Sequence, residues 1–267
     1  MIGHLLSLIN LKAGVLSLLA IASTFICIHL GITADFPMSL VATAVVFPMV
    51  FSINGAYERR ERALAAYGAV KANGHAIHLS CRDWPHDFDT TDMQHKSKAT
   101  LAQLMSDIRD LLYSPVSELP VHEITVYRSF SDISKLINTD LRRAEVNPSE
   151  LSRCNQFLSK MLIAFEDLKH IHQYRTPKII REFSGFFVCV LPVLYGPYFA
   201  LVSVQNEIGL AYVTPVVLTL VLVSLENIQK QLESPYDQIG EDDVHINVEH
   251  YLERLQTESV RPSDVKS

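Results

Sequence analysis

Apolar residues along this chain gather into four runs, two near each end, with a polar stretch between them. The first run, Ala13 to Ile32 (AGVLSLLAIASTFICIHLGI), holds no Asp, Glu, Lys or Arg. At 1.5 Å per residue, such a helix is about 30 Å long and matches the hydrocarbon core of a bilayer. The second run is Phe36 to Ile53, the third Phe183 to Val204 and the fourth Ile208 to Leu225. Each predicts a membrane-spanning helix. Pro48, Pro192, Pro197 and Pro215 fall inside the runs. A proline there is tolerated where neighbouring helices or water satisfy the carbonyl it leaves without a partner, so the pattern predicts a bundle with irregular segments. Only Lys12 closely precedes the first run, which is longer than the apolar core of a signal peptide. The two closely spaced runs read as a retained hairpin.

The polar middle has helical rather than alternating periodicity. Leu101, Leu104, Met105, Ile108, Leu111 and Leu112 fall at helical spacing, and so do Ile133, Leu136, Ile137 and Leu141. Asn147-Pro148-Ser149-Glu150 predicts a helix start, with Asn147 as cap and Pro148 in the first turn, followed by a stripe from Leu151 to Leu168. Ser80 to His95 reads as a loop and the chain after about His250 as a loosely ordered polar tail. The expected fold is all-α: a first hairpin over residues 1–55 (spans 13–32 and 36–53), a helical region over 56–182, a second hairpin over 183–225 (spans 183–204 and 208–225), and a C-terminal segment over 226–267.

Charge orients this layout. Lysine and arginine number 23, of which fifteen lie in residues 63–182, and the short turns at 33–35 and 205–207 have none. The positive-inside rule places both termini and the middle region in the cytosol of a multi-pass protein of the plasma or inner membrane. The formal net charge of −6 gives no general affinity for nucleic acid.

Motifs for enzyme chemistry are missing. The sequence has no P-loop, GxSxG, HExxH or dinucleotide-binding glycine pattern. Cys27, Cys81, Cys154 and Cys189 form no C-x-x-C and read as reduced structural cysteines. Among eleven histidines, His75 and His78 share a helix face, but no carboxylate or cysteine completes a metal set, and they read as solvated. Asp237, Glu241, Asp242 and Asp243 can hold calcium or form a solvated acidic surface; their spacing does not fit an EF-hand. Thr43, Phe47 and Phe51, at i, i+4 and i+8, make one stripe that Asn54 continues. Spacing alone leaves it as packing against a helix or lipid.

Residues 51–68 (FSINGAYERRERALAAYG) resemble the bestrophin segment F-R-x-N-x-A-Y-D-R-W-W-E-A-R-x-x-W-G, with matches at Phe51, Asn54, Ala56, Tyr57, Arg59, Ala63 and Gly68. Arg175-Thr176-Pro177 resembles the family's R-x-T-P ahead of the third span. Leu225-Glu226 and Gln231-Leu232-Glu233-Ser234-Pro235-Tyr236 resemble its L-E and E-L-E-x-P-F after the fourth. There are departures. Arg60-Glu61 replace a tryptophan pair, Ser52 replaces an arginine, and Gln238-Ile239-Gly240 interrupts the acidic run that clasps calcium in animal members. The resemblance implies a homopentameric chloride channel, with inorganic anions as permeant ions, no required cofactor, a pore neck at Thr43, Phe47 and Phe51, and a cytosolic aperture at Lys178. A cation- or bicarbonate-permeable pore of the same fold and a non-conducting membrane scaffold are the competing expectations.

Overall fold

The computed structural model describes residues 11–35, 37–85, 90–174, 178–205, 208–233, 235–238 and 243–257. The described residues are helical throughout, apart from connecting segments. In chain order the helices are α1 (Leu11–Leu30), α2 (Met38–Asp83), α3 (Thr90–Tyr113), α4 (Leu119–Lys135), α5 (Pro148–Gln173), α6 (Lys178–Leu194), α7 (Gly196–Gln205), α8 (Ile208–Glu233) and α9 (Val248–Thr257). The chain divides into two compact units. The first takes residues up to 58 and 175–234, the second 59–174 and 235–267. Helix α2 contributes to both.

Four helical stretches are long and apolar enough to cross a membrane: Leu11–Leu30, Val41–Asp83, Arg181–Val204 and Gly209–Glu233. The apolar part of the second ends at Ile53.

The first unit packs as a membrane bundle should. The buried positions of α1 are Ala13, Leu16, Ser17, Ala20, Thr24 and Cys27, while Leu18, Leu19, Phe25 and Ile26 are exposed. In lipid, bulky apolar side chains gain nothing by turning inward, so small residues take the contact face and let backbones approach. Thr24 donates its hydroxyl to the Ala20 carbonyl at 2.9 Å, which spares a buried polar atom. Gly31 (φ +67°) then ends α1: its N–H donates to the Ile28 carbonyl and that of Ile32 to the Cys27 carbonyl, at 3.2 and 2.9 Å. That pair of bonds closes the last turn and needs the left-handed conformation glycine adopts freely. Val45, Met49, Val188, Leu191, Phe199, Leu222 and Val223 fill the core.

The third apolar run differs from a single rod. It breaks at Tyr195 into α6 and α7. Pro197 has no N–H for the Val193 carbonyl four residues back, and Ser23 of α1 donates its hydroxyl to that carbonyl at 2.8 Å. Gly196 lies against Ser23 so closely that any Cβ would collide with it. The break and its repair are therefore written into adjacent residues.

The second unit is a helical cluster around its own hydrophobic core. Its core holds Ile77, Leu101, Leu104, Ile108, Leu111, Val126, Ile133, Ile137, Phe165 and Leu168. Asn147 caps α5 by accepting from the Ser149 N–H at 3.0 Å, with Pro148 in the first turn. A π-helical turn, Leu136–Leu141, follows α4 and places Asn138 in a reciprocal amide pair with Asn155 at 3.2 Å in each direction. Lys169 ties α4 to α5 by donating to Glu123 at 2.8 Å and Tyr127 at 2.8 Å and pairing with Glu166 at 2.6 Å. Burial opposes charge on Lys169, but these acceptors outweigh it and raise the ammonium pKa above its usual range.

Two sequence expectations need correction. The segment Ser80 to His95 is helical at both ends: α2 runs through Asp83 and α3 begins at Thr90. Cys81 and Met93 are core residues, so packing extends the helices into polar sequence. The tail past His250 carries α9, whose Val248, Tyr251 and Leu255 are buried.

Candidate functional site

Helix α2 has two faces within the first unit. Val45, Met49, Ser52 and Ala56 are buried. Thr43, Phe47, Phe51 and Asn54 are exposed on the other side. Phe47 and Phe51 are each 60% exposed. Their centroids lie 4.6 Å apart with the planes at 75°, an edge-to-face pair. Thr43 donates its hydroxyl to the Ser39 carbonyl at 2.6 Å, and Asn54 donates to the Glu58 carboxylate at 2.9 Å. The three sequence-predicted neck residues thus share one face that this chain leaves uncovered.

A polar cluster that sequence reasoning missed lies at the end of α8. Glu226 is 5% exposed and pairs with Lys12 of α1 at 2.6 Å and with Lys230 at 2.7 Å. One turn on, Gln229 donates to the Ser52 hydroxyl of α2 at 3.0 Å. Beyond it, Glu233 accepts from Arg181 of α6 at 2.9 Å. Glu226 and Glu233 are seven residues apart, two turns, so one face of α8 ties α1, α2 and α6 together. The available signal was two carboxylates at heptad spacing just past the last apolar run.

Lys178 is the first residue of α6; its side chain lies outside the described residues. Nearby, Ile179 is 75% exposed and Glu182 is exposed. Of the acidic residues, Asp237 is exposed and Asp243 buried, whereas Glu241 and Asp242 lie outside the described residues. Among the described residues, no group of three metal-ligating side chains gathers. The reading of His78 as solvated is corrected. It is 4% exposed and its Nδ1 shares a 2.8 Å hydrogen bond with the Ser97 hydroxyl.

No family model and no curated protein matches the sequence. Solved structures do match. One crystal structure of a bacterial bestrophin homologue from Klebsiella pneumoniae superposes with a TM-score of 0.75 at 17% identity, covering 94% of this chain and 100% of that one. A second crystal structure of a bacterial bestrophin homologue from Klebsiella pneumoniae, phased on zinc, gives a TM-score of 0.73 at 18% identity, covering 96% of this chain and 98% of that one. The chain has the bestrophin fold. A third structure of the homologue agrees, with a TM-score of 0.74 at 17% identity over 97% of this chain. Coverage of 94–97% of this chain extends the likeness over both units.

Proposed function

We propose that this chain is one subunit of a homopentameric anion channel whose neck is lined by Thr43, Phe47 and Phe51 and whose aperture falls at Lys178. The observation that carries the reading is the uncovered Phe47–Phe51 pair, placed on the face of α2 opposite its core contacts. The bestrophin fold and the motif resemblance over residues 51–68 support the same assignment. In this reading the four apolar stretches form two transmembrane hairpins, both termini and the second unit are cytosolic, and the protein sits in the plasma or inner membrane.

The chemistry follows from the residue types. Rings of phenylalanine offer no charge, so an ion passes only when the neck is wet or the ion sheds part of its hydration shell. The positive edges of aromatic rings favour anions modestly. Chloride, bromide and nitrate lose less on dehydration than strongly hydrated anions and pass more readily. Five lysines at position 178 would raise the local anion concentration at the aperture. Calcium is not required in this reading, since Gln238-Ile239-Gly240 interrupts the acidic run.

The deciding experiment is the reversal potential of purified protein in planar bilayers under a chloride gradient, together with native mass spectrometry. Pentamers with an anion-selective potential are expected, and Lys178→Glu is expected to shift that potential toward zero. Monomers or dimers without current would leave a membrane scaffold as the reading. A cation-selective potential, or one dominated by bicarbonate, would keep the pore and overturn the ion. An unchanged potential in Lys178→Glu would remove Lys178 from the pore.

A further inference from the structure

Two helix faces of the second unit meet across a cleft of about 380 Å3, within the size range of small-ligand sites. Helix α2 supplies Tyr67, Gly68, Lys71, Ala72 and His75, one face at i, i+1, i+4, i+5 and i+8. The other wall is His245 and Asn247 from the preceding segment, with His250, Tyr251 and Arg254 from α9. Among the described residues, every ionisable group in this lining is basic or phenolic and none is a carboxylate. The two carboxylates of α9 lie outside the lining, although Glu253 neighbours the lining residue His250. Glu249 lies 3.7 Å from Arg109 of α3, and Glu253, largely exposed, lies 3.7 Å from the Nδ1 of His250.

The charge is held in place. The Lys71 ammonium sits 4.4 Å from the centre of the Tyr67 ring. Burial, and then repulsion from Arg254, lower its pKa below the ordinary lysine range. Burial and the neighbouring Tyr113 push Tyr67 up to about 12 against a hydrogen bond with the Asn247 backbone, so its phenol stays neutral. His245 is positioned through Nδ1 by the Gln238 side-chain oxygen at 2.7 Å, and Gln238 holds a left-handed backbone at φ +60°. Two cations, three imidazoles, an amide and two phenols converge on one space in a chain whose formal net charge is −6.

We infer that this cleft is a binding site for the phosphate group of a small soluble molecule, with Lys71 and Arg254 as its two charged contacts. Arginine forks onto two phosphate oxygens, lysine adds a point charge, and imidazole and amide N–H groups complete the acceptor shell. A single halide is too small and too weakly charged to engage both walls. The cleft shares no residue with the proposed neck.

The test is calorimetric titration of the purified full-length protein in detergent with inorganic phosphate, pyrophosphate and adenosine monophosphate, in chloride buffer of constant ionic strength. Saturable binding is expected, with pyrophosphate tighter than phosphate. A tenfold or greater loss is expected in Lys71→Gln and in Arg254→Gln, and none in Arg62→Gln, an exposed arginine outside the cleft. Tighter binding of adenosine monophosphate than of phosphate would assign the site to a phosphate ester rather than to free phosphate. The inference is overturned by no saturable binding of any of the three probes, by binding that chloride competes away at equal concentration, or by an equal loss in Arg62→Gln. Elution volume and melting temperature in chloride buffer establish that each variant is folded, so that a lost signal reports the cleft.

Discussion

Lys12 and Glu226 stand 214 positions apart in the sequence, and their charged groups meet 2.6 Å apart in the first unit. The contact joins the start of the first apolar helix to the end of the last. Glu226 is almost wholly buried, while Lys12 is about one-third exposed and Lys230 about half. A buried carboxylate with two cationic partners is costly to disturb, because removing its charge leaves two neighbouring lysines without their shared counter-ion. Glu226→Gln is expected to destabilise by about 2 kcal/mol, less than a fully buried pair would lose because both lysines can regain water. Lys12→Gln should cost less, since Lys230 remains. Melting temperatures of the two single variants and the double variant in detergent check this. Additive losses would show that the two groups do not interact.

His78 gives a pH prediction. Burial, then the neighbouring positive groups of His75, Arg82 and Lys98, push its imidazole down to about 4, against a smaller opposing effect of Asp83. The unfolded chain takes up the same proton near pH 6.5. Between those values the unfolded state binds more protons, so stability is fully present above about pH 6.5 and is lost as pH falls toward 4. The loss reaches at most about 3 kcal/mol. Wild-type melting temperature is expected to fall between pH 7.5 and 5 more steeply than that of His78→Gln. Parallel curves would mean that His78 is not the group responsible.

These two cases mark how far the sequence could be read. The spans were legible because lipid demands long apolar helices, and the run Ala13 to Ile32 corresponds to α1 within two residues. The cap at Asn147 was legible because it is local. The break at Tyr195 was half legible: Pro192 and Pro197 announced irregularity, but only the fold brings Ser23 to the freed Val193 carbonyl. His78 was misread because burial depends on Ser97 from another helix, and spacing on α2 carries no trace of that. The helix α9 was missed since its polar sequence becomes helical by burying Tyr251 and Leu255 against distant residues. The neck stripe was visible as spacing at Thr43, Phe47 and Phe51, yet its exposure is a property of the folded chain.

Gly74 and Tyr251 offer a test of packing in the second unit. A Cβ on Gly74 would come 2.6 Å from the Tyr251 hydroxyl oxygen and 3.3 Å from Leu101 Cδ2. That hydroxyl is buried without a hydrogen-bond partner among the described residues. Alanine favours an exposed helix by about 1 kcal/mol over glycine, but collision in a close-packed site costs about 1–3 kcal/mol and should win. Gly74→Ala is therefore expected to destabilise. Tyr251→Phe, which deletes the colliding atom, should be close to neutral alone and should recover most of the loss in combination. A double-mutant cycle of melting temperatures reads this directly, and a double variant no better than Gly74→Ala would contradict it.

The proposed neck yields the sharpest prediction. Phe47 and Phe51 are four residues apart, about 6 Å of helical rise, so five subunits would stack two aromatic rings into a dry zone. Water between apolar walls that are close together is unstable, and such a zone limits flux by dewetting. Replacing both residues with alanine widens the passage and removes apolar surface. Their 60% exposure in the single chain means that little of its own core depends on them. Halide flux into liposomes carrying equal amounts of pentamer should rise at least severalfold in Phe47→Ala/Phe51→Ala. The ranking among chloride, bromide and nitrate should flatten, because each ion then sheds less of its shell. A loss of assembly would give the opposite signature, less pentamer and less flux, and is separated by measuring the oligomer first. Phe25, a ring 59% exposed on α1 instead of α2, is the internal control: Phe25→Ala should leave both flux and ranking as in wild type. Unaltered flux and ranking in an intact Phe47→Ala/Phe51→Ala pentamer would return these rings to contact with lipid or a neighbouring helix.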